Sequence, residues 1–434
     1  MRLLKNLKVS FLPSALIFHI SLILARGYFL SPEFTLYPYL VSRGFLPYRD
    51  IIDQHFPSLL FGPFSLPSFL TVNPWPLLAL FLLTLCLTDI FLYASLYRFK
   101  VKKPLVWLIL FILTSVYFSG NILWIETFVN LLLAVWLFLS FSKNNLRRFV
   151  SGFLLSQIIL LRPTFTPALL ILLFSFSGLS WSLFFGGLSG LAIPALFILK
   201  QEIFTDFYRL TIQFNQSVYP KEASLLPGKR QIFFLLVWVA PLVSQIIKYK
   251  KYLYFGVIAL SVLLLFPRFG YEHLQPVFLI GVLFWSLLQK KPGIIVYSFI
   301  FCLFLLNLIS AIRHPYGNFY LTPDIHKAVQ EIKEIPGIEI YLLGAPDILY
   351  QLSDKIPPNY TYVPSLPWYL SQEDFVDKII LSLEKSKSFV LVDFESEIDG
   401  KNIALESGRV LEYIRINYIG VDKIGNYQLF LPKP

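Results

Sequence analysis

The feature that most constrains this chain is a series of apolar segments that occupies its first three quarters. A helix needs about 20 apolar residues to cross the hydrocarbon core of a bilayer, or somewhat fewer where it is short or kinked. Segments of this kind lie at residues 10–28, 76–97, 104–119, 123–141, 149–161, 165–178, 181–199, 231–247, 252–267, 273–289 and 293–311. The sequence therefore predicts an α-helical polytopic membrane protein with about eleven spans.

Composition supports the same class of protein. Hydrophobic residues make up 56% of the 434 residues and charged residues only 15%, whereas a soluble domain carries about 25% charged residues. Aromatic residues reach 17%, which suits belts of Trp and Tyr at the membrane interfaces. Because Cys86 and Cys302 both lie in apolar runs, no disulfide framework is predicted.

The distribution of charge divides the chain. Residues 315–434 contain 11 Lys and Arg against 17 Asp and Glu, whereas the preceding residues contain 26 against 9. This change of sign predicts a transmembrane domain at 1–313 and a soluble extracytoplasmic domain at 314–434. The basic excess of the membrane part indicates topology and contact with lipid headgroups, not a nucleic-acid partner.

Basic connectors predict the orientation. Five of them fall at alternate ends of the spans, at 1–8, 97–103, 142–148, 248–252 and 289–292. The positive-inside rule places all five, and with them the N-terminus, in the cytoplasm. No small-x-small cleavage site follows the first segment cleanly, so we interpret it as an uncleaved span.

The remaining connectors then share the outer face with the C-terminal domain. They are the first outer loop at 31–72, the turns at 119–126 and 267–273, and the loop at 200–230. Within the first outer loop, the Phe- and Pro-rich stretch 57–72 predicts a partly embedded helix and not a full crossing.

The C-terminal segment alternates helical and strand patterns. The predicted order is helix 323–335, strand 338–345, helix 346–354, helix 371–386, strand 388–394, helix 402–418 and strand 426–432. Asp324 suits the first turn of its helix, and Ser371 with Asp374 forms the S-x-x-D pattern of a capped helix. This order predicts a small α/β domain with helices packed on a partly parallel sheet.

Carboxylates are scarce in the membrane part and mark where chemistry would lie. Nine precede Pro315, and all except Asp89 map to the predicted outer face: Glu33, Asp50, Asp53, Glu126, Glu202, Asp206, Glu222 and Glu272. A charge at mid-membrane costs about 2.5–3.5 kcal/mol on insertion scales, so carboxylates gathered at one face favour a functional site. The alternative is that loops simply collect polar residues. Asp89 is expected to pair with a neighbouring helix.

Glu33 stands where the chain leaves the first span. One interpretation is a general base that removes a proton from an acceptor hydroxyl. The other is a carboxylate stabilised by the dipole at the start of a helix after Pro32.

Asp50, Asp53 and His55 form a D-x-x-D-x-H pattern. The two aspartates would share a face if this stretch were helical, and they could hold a metal or orient a substrate with His55 as a ligand. Equally, they could pair with Arg43 and Arg49. The pattern is a weak metal signal, so a divalent metal is left open.

Further candidates lie at the outer ends of other spans. Glu126 is followed by sixteen apolar or neutral residues, which favours a role at the site. Arg162 and Arg268 suit a phosphate beside the membrane, since guanidinium groups bind phosphate well, although basic side chains also extend to the interface without a role. Tyr271 and His273 could contact sugar hydroxyls.

The stretch RGFLPYRDIIDQHFPSLL resembles the G-x-PYRD-x-x-D-x-x-P-LL stretch of polytopic glycosyltransferases with the GT-C fold. The most similar group is bacterial and has the glycosyltransferase 39 or RgtA–D type domain. Supporting matches are IETFVNLLLAVWLFL, RPTFTPALLIL, PRFGYEHLQPVFLIG and the C-terminal GAPDILYQLSDKIPPNYTY. The resemblance extends over nearly the whole chain, and only the PYRD stretch is specific.

The resemblance implies an activity and a set of roles. Such enzymes transfer a sugar, usually with inversion, from a polyprenyl-phosphate donor to a cell-envelope acceptor (lipid, glycan or protein) on the outer face of a bacterial plasma membrane; mannosyl transfer is one example. It implies that Glu33 is the loop carboxylate, acting as base or metal contact, and that Glu126 is the second acidic position. Many members have an Asp-Glu pair where this chain has Pro32-Glu33, so Asp50 is an alternative base. The other classes to weigh are a transporter or flippase of lipid-linked glycans and an inactive glycan-binding relative.

Overall fold

The computed structural model describes residues 11–70, 74–140, 142–263, 268–313 and 322–434. Basic connector 1–8 and the predicted domain boundary after Arg313 lie outside these residues, so both stay predictions. The chain folds as two compact units, each built from separate stretches of sequence. The first comprises Met1–Leu30, Leu77–Ile193 and Leu226–Gly317; the second comprises Ser31–Pro76, Pro194–Leu225 and Asn318–Pro434.

Each of the eleven predicted apolar segments contains a helix. Their bounds are Leu12–Arg26, Pro74–Arg98, Pro104–Tyr117, Ile125–Leu139, Asn145–Leu161, Thr166–Phe176, Trp181–Lys200, Lys229–Lys248, Tyr252–Leu263, Gln275–Gln289 and Ile294–Arg313. Among the described residues, four of these helices are long and apolar enough to cross a membrane: Pro74–Arg98, Trp181–Lys200, Lys229–Lys248 and Ile294–Arg313.

Glycines allow two helices of the first unit to pack closely. A Cβ atom on Gly152 would overlap the carbonyl oxygen of Leu183, and one on Gly186 would overlap that of Phe149. Gly190, four residues after Gly186, faces the Ser156 hydroxyl in the same way. Small residues at such spacing are typical of helix packing in membranes, where backbones must approach without a hydrophobic driving force between helices.

Polar side chains also join helices of the first unit. The buried His19 and Asp89 pair at 2.7 Å from Nδ1 to Oδ2, which confirms that Asp89 has a partner on a neighbouring helix. Arg26 donates to Asn307 at 2.9 Å, and Asn307 in turn donates to the Leu113 carbonyl. Buried polar groups need such partners because their desolvation is otherwise costly.

Helix ends that were predicted to share one face meet in the first unit. At one end, Lys102 donates its backbone N–H to the Lys290 carbonyl at 2.7 Å, which joins two of the basic connectors. At the other end, short strands β1, Phe29–Leu30, and β2, Ile122–Leu123, pair in parallel. These two contacts are consistent with the predicted grouping of the connectors, and the orientation of the helices across a membrane stays a prediction.

The second unit contains the first outer loop. Its helix, Glu33–Ser42, begins after Pro32, a residue suited to a helix start. Residues 57–70 contain only a 3₁₀ turn at Ser68–Leu70, so the embedded helix predicted there is wrong for this part, and 71–72 lie outside the described residues. Short helices follow in the 194–225 stretch, at Phe204–Tyr208, Asn215–Ser217 and Tyr219–Glu222, with a π-helix at Arg209–Phe214.

The C-terminal part of the second unit is an α/β domain. Its sheet has the order β3-β4-β8-β7, formed by Ile340–Leu343, Phe389–Val392, Tyr427–Pro432 and Tyr418–Ile424, respectively. Strands β3 and β4 are parallel, and the other pairs are antiparallel. A separate hairpin is formed by β5, Glu397–Ile398, and β6, Lys401–Asn402. The partly parallel sheet was predicted, whereas strand β7 was not.

The helices of this domain also differ in detail from expectation. They lie at Pro323–Glu334, Ile348–Leu352, Pro367–Leu370, Glu373–Ser386, Ile403–Glu406 and Gly408–Asn417, with a 3₁₀ turn at Pro358–Tyr360. The single helix predicted over 402–418 is thus two helices that meet at Ser407. The predicted cap at Ser371 is wrong, because Gln372 occupies the N-cap position, without a side-chain capping hydrogen bond, and the Ser371 hydroxyl donates to the Trp368 carbonyl.

Candidate functional site

Glu33 opens the loop helix of the second unit and points its carboxyl group inward. Its Oε2 atom is buried and has no hydrogen-bond partner among the described residues. Burial raises the pKa of Glu33 to about 7, opposed by a hydrogen bond to its own backbone and by the charge of His55; the charges of Asp53 and Asp347 raise it further. A carboxyl group with a pKa near the working pH can act as a general base.

Asp53 is the best-anchored carboxylate of this unit. It is 3% exposed. Its Oδ2 accepts a 2.6 Å hydrogen bond from the Tyr37 hydroxyl, and its Oδ1 accepts one of 2.7 Å from the His55 backbone N–H. The Nδ1 atom of His55 also lies 2.8 Å from Oδ1. Because Glu33 and Tyr37 are one helical turn apart, they share the face that meets Asp53.

The α/β domain reaches the same group of residues. The Ile52 backbone N–H donates to the Tyr362 carbonyl at 2.9 Å, and the Tyr362 N–H donates to the Asp50 carbonyl at 2.7 Å. The Tyr362 ring lies 6.1 Å from that of Tyr37, and its hydroxyl donates to Asp347 at 2.8 Å. Burial raises the pKa of Asp347 to about 6.

Asp347 and Tyr362 were not candidates on sequence grounds. The available signal was the position of Asp347 shortly after a buried strand, β3, which runs parallel to β4. Ligands of α/β domains commonly bind beyond the carboxyl ends of parallel strands. That rule could have drawn attention to Asp347.

Asp50 has a local structural contact. Its Oδ2 accepts a 2.8 Å hydrogen bond from the Leu46 backbone N–H, and this closes a turn. Residues 45–55 form turns and isolated bridges instead of a helix, so the condition for Asp50 and Asp53 to share a helical face is not met. Burial raises the pKa of Asp50, against the opposing charges of Arg49 and Lys378.

The arginines of this loop have partners other than those proposed from the sequence. Arg43 forms an ion pair with Asp354. Arg49 lies 3.5 Å from the Asp206 carboxylate and donates to the Glu202 carbonyl at 2.7 Å. No group of three or more His, Cys, Asp or Glu side chains in the described part of the chain could hold a metal ion.

A second cluster forms in the first unit around Glu126. The Glu126 carboxylate is 1% exposed. Its Oε1 lies 2.8 Å from His273 Nδ1 and 3.2 Å from Arg162 Nη1. His273 also approaches Glu272, at 3.8 Å.

These three residues meet because each stands at the end of a helix. Glu126 lies in the first turn of Ile125–Leu139, Arg162 caps the end of Asn145–Leu161, and His273 precedes Gln275–Gln289. Their convergence agrees with the predicted placement of all three on one face. Arg162 and His273 keep 22% and 12% of their side chains exposed, so a ligand could reach them.

Tyr271 and Arg268 lie near this cluster in sequence. The Tyr271 ring packs edge-on against Phe118, at 5.0 Å between ring centres, and against Phe269 at 5.8 Å. Arg268 is half-buried.

The sequence candidates thus form two clusters, one in each unit. Glu33, Asp53 and His55 come together with Tyr37 in the second unit, whereas Glu126, Arg162 and His273 come together in the first. The placement of both groups on the outer face of a membrane stays a prediction.

No protein-family model matches this chain, and no curated protein matches its sequence. The function is therefore inferred from the chemistry of the two clusters.

Proposed function

We propose that this chain is an integral membrane glycosyltransferase with a GT-C-like bundle of about eleven spans. It moves a sugar, with inversion, from a polyprenyl-phosphate donor to a cell-envelope acceptor on the outer face of a bacterial plasma membrane. The N-terminus is cytoplasmic, and the α/β domain is extracytoplasmic. Its partners are the lipid-linked donor, the acceptor and the surrounding membrane lipids.

The observation that carries this proposal is the state of Glu33. Its Oε2 is buried without a partner among the described residues, and its pKa is raised to about 7. A carboxylate that served only the helix dipole would gain from exposure to water and from a low pKa. A base that must take a proton near neutral pH needs the environment found here.

The reaction follows from this base. Glu33 takes the proton of an acceptor hydroxyl while the acceptor oxygen forms a bond to the anomeric carbon of the sugar. On the opposite side of that carbon, the bond to the lipid phosphate breaks, and the phosphate leaves with the electron pair. Because a phosphate is a good leaving group, the reaction needs cationic groups beside it more than a strong acid.

Within the first unit, Arg162, Arg268 and His273 are proposed to bind a phosphate group of the lipid-linked substrate. Arg162 and His273 are held by Glu126 at 3.2 and 2.8 Å, which fixes their side chains before a ligand binds. Such preorganised charge is more effective than flexible side chains that must be ordered during the reaction. Tyr271, two residues before His273, is proposed to contact sugar hydroxyls.

The first unit also offers room for a lipid chain. A cavity of about 710 Å³ lies among the helices Asn145–Leu161, Thr166–Phe176 and Trp181–Lys200, and its walls include Leu155, Leu173 and Phe184. An apolar cavity between helices of a membrane protein suits a hydrocarbon chain. This supports a lipid-linked donor.

The test is sugar transfer by membranes that contain the full chain, with a panel of labelled polyprenyl-phosphate hexoses and pentoses. Wild type should release polyprenyl phosphate, and Glu33→Gln should lose about 10²–10⁴-fold in rate, the usual contribution of a general base. Glu222→Gln, an exposed glutamate of the same unit, is the matched control and should act as wild type. Equal rates for wild type and Glu33→Gln would refute the assignment of the base.

A second measurement on the same membranes separates the rival classes. Movement of the labelled lipid across the membrane without any sugar transfer would favour a transporter or flippase. Binding of glycan without transfer or movement would favour an inactive relative.

A further inference from the structure

Two carboxyl groups in the second unit have an oxygen available for a ligand. Glu33 Oε2 has no partner among the described residues. Asp347 uses Oδ2 to accept from Tyr362, and within the described part of the chain its Oδ1 accepts no hydrogen bond. Both residues keep part of their surface exposed, whereas the Oε2 atom of Glu33 is itself buried.

Well-defined contacts connect these two groups. Glu33 shares a helix face with Tyr37, whose ring lies 6.1 Å from that of Tyr362. Tyr362 is tied to the first outer loop by two backbone hydrogen bonds, of 2.7 and 2.9 Å, and holds Asp347 at 2.8 Å. The position of Asp347 relative to the loop helix is thus fixed by the fold of this unit.

The surroundings favour neutral hydrogen-bond donors over a cation. Burial favours the protonated form of each carboxyl group, with the pKa of Glu33 near 7 and that of Asp347 near 6. The charges that act on Glu33 come from His55, Asp53 and Asp347, and the charge of Glu33 in turn raises the pKa values of Tyr37, Tyr362 and Tyr369. The charge of Asp347 raises the pKa values of Tyr341, Tyr350 and Tyr362, and the Tyr362 hydroxyl donates to it. Tyrosine rings and carboxyl oxygens together suit the apolar faces and hydroxyl groups of a sugar.

We propose that Asp347, held by Tyr362, is an acceptor-binding carboxylate, and that the acceptor is a carbohydrate with one hydroxyl at Glu33 and another at Asp347. This inference rests on the proposed function and narrows it, because it assigns the α/β domain a direct part in acceptor recognition. A serine or threonine side chain offers one hydroxyl and would leave Asp347 unused. A sugar ring offers several hydroxyls on a rigid frame.

The first test needs no sugar transfer. Infrared spectra of the full-length protein in detergent follow the protonated carboxyl band of Glu33, identified by subtraction of the Glu33→Gln spectrum. The spectra are recorded over a range of pH, and the midpoint is the pH at which half of this band is lost. Asp347→Asn removes a neighbouring negative charge, so this midpoint should fall by about 0.3–1 pH unit. Asp354→Asn, an exposed aspartate paired with Arg43, is the control and should leave the midpoint in place.

The same spectra test the class of ligand. Added oligosaccharide or glycolipid should shift the Glu33 band of wild type and not that of Asp347→Asn, whereas a Ser/Thr peptide should leave it unchanged. A shift by glycolipid alone would identify a lipid-linked carbohydrate as the source. An unchanged midpoint in Asp347→Asn, or an equal response to the peptide, would overturn the inference.

Kinetics supply the second test. Asp347→Asn should raise the acceptor KM by roughly 10- to 100-fold, the range for one lost hydrogen bond to a charged group, and should leave the donor KM unchanged. Tyr362→Phe should have a smaller effect in the same direction. If both variants lower the thermal stability and leave the acceptor KM as in wild type, Asp347 has only a structural role. If wild type transfers no sugar from any donor, the proposed function fails, and the infrared result still decides whether Asp347 and Glu33 bind one carbohydrate.

Discussion

The imidazole Nδ1 of His55 lies 2.8 Å from Oδ1 of Asp53, and the same oxygen accepts the backbone N–H of His55. This double contact fixes the imidazole beside Glu33, where its charge lowers the pKa of Glu33 while that of Asp53 raises it. The pKa of the proposed base, about 7, is therefore a balance: burial and the nearby carboxylates raise it, and a backbone hydrogen bond and the charge of His55 lower it.

Removal of the imidazole should disturb this balance in one direction. In His55→Gln the positive charge is lost and Asp53 remains, so the pKa of Glu33 should rise above 7. The acid limb of the pH–rate profile for sugar transfer should then move to higher pH than in wild type. His326→Gln, at an exposed histidine of the same unit, is the matched control. A limb that stays in place or moves to lower pH would show that Glu33 does not set it.

Glu33 should also make stability depend on pH. Its folded-state pKa of about 7 exceeds the ordinary value of 4.5, so the folded protein binds this proton more tightly than the unfolded chain does. The resulting stabilisation is fully present below about pH 4.5 and is lost as the pH rises through about 7. The Tm in detergent should therefore fall more between pH 5 and pH 8 for wild type than for Glu33→Gln, with Glu222→Gln like wild type. If the Tm falls equally with pH in all three proteins, the pKa of Glu33 is not raised in the folded state.

The Glu126 cluster should contribute strongly to the stability of the first unit. Glu126→Gln leaves Arg162 and His273 without their shared carboxylate, and breaking a buried ion pair costs about 3–5 kcal/mol. Since both partners are partly exposed, we expect the lower end of this range, measured as a loss of Tm. Glu272→Gln, whose carboxylate is 32% exposed and 3.8 Å from His273, should have little effect. Similar losses for both variants would argue against the ion pair.

The close packing of the helices Asn145–Leu161 and Trp181–Lys200 gives a further prediction. Gly186→Ala places a methyl group against the Phe149 carbonyl oxygen, and overpacking of this kind costs about 1–3 kcal/mol. The matched control is Gly256→Ala, since a Cβ there meets nothing within 4 Å. We expect a lower Tm than wild type for Gly186→Ala and not for Gly256→Ala. Equal Tm values for the two variants would show that the two helices separate readily.

Several elements follow from local sequence. Each apolar segment became a helix because its backbone polar groups have no better partners within so apolar a stretch. The segments 338–345 and 388–394 are predicted as buried strands, and strands β3 and β4 within them are buried in the sheet. Strand β7 was missed because its residues alternate poorly and its middle is exposed; only pairing with β8 makes it a strand.

The candidate site was predictable in part. Glu33, Asp53 and His55 lie within 23 residues, so the sequence could mark them as one group. Helical spacing would place Asp50 and Asp53 on one face, but this stretch is not helical, and the Asp50 carboxylate accepts the Leu46 backbone N–H in a turn. Asp347 is more than 300 positions away in sequence, and no local pattern links it to Glu33.

The sequence by itself determined which segments are apolar helices and which of the few carboxylates are candidates for function. It also showed that the C-terminal segment is acidic whereas the preceding residues are basic. Hydrophobicity and charge are properties of each residue type, so they can be read along the chain. Only the tertiary structure decided that Tyr362 holds Asp347 within the unit of Glu33, and that Arg162 and His273 share Glu126. These relationships depend on which distant segments pack together, and so do the pKa values that burial shifts.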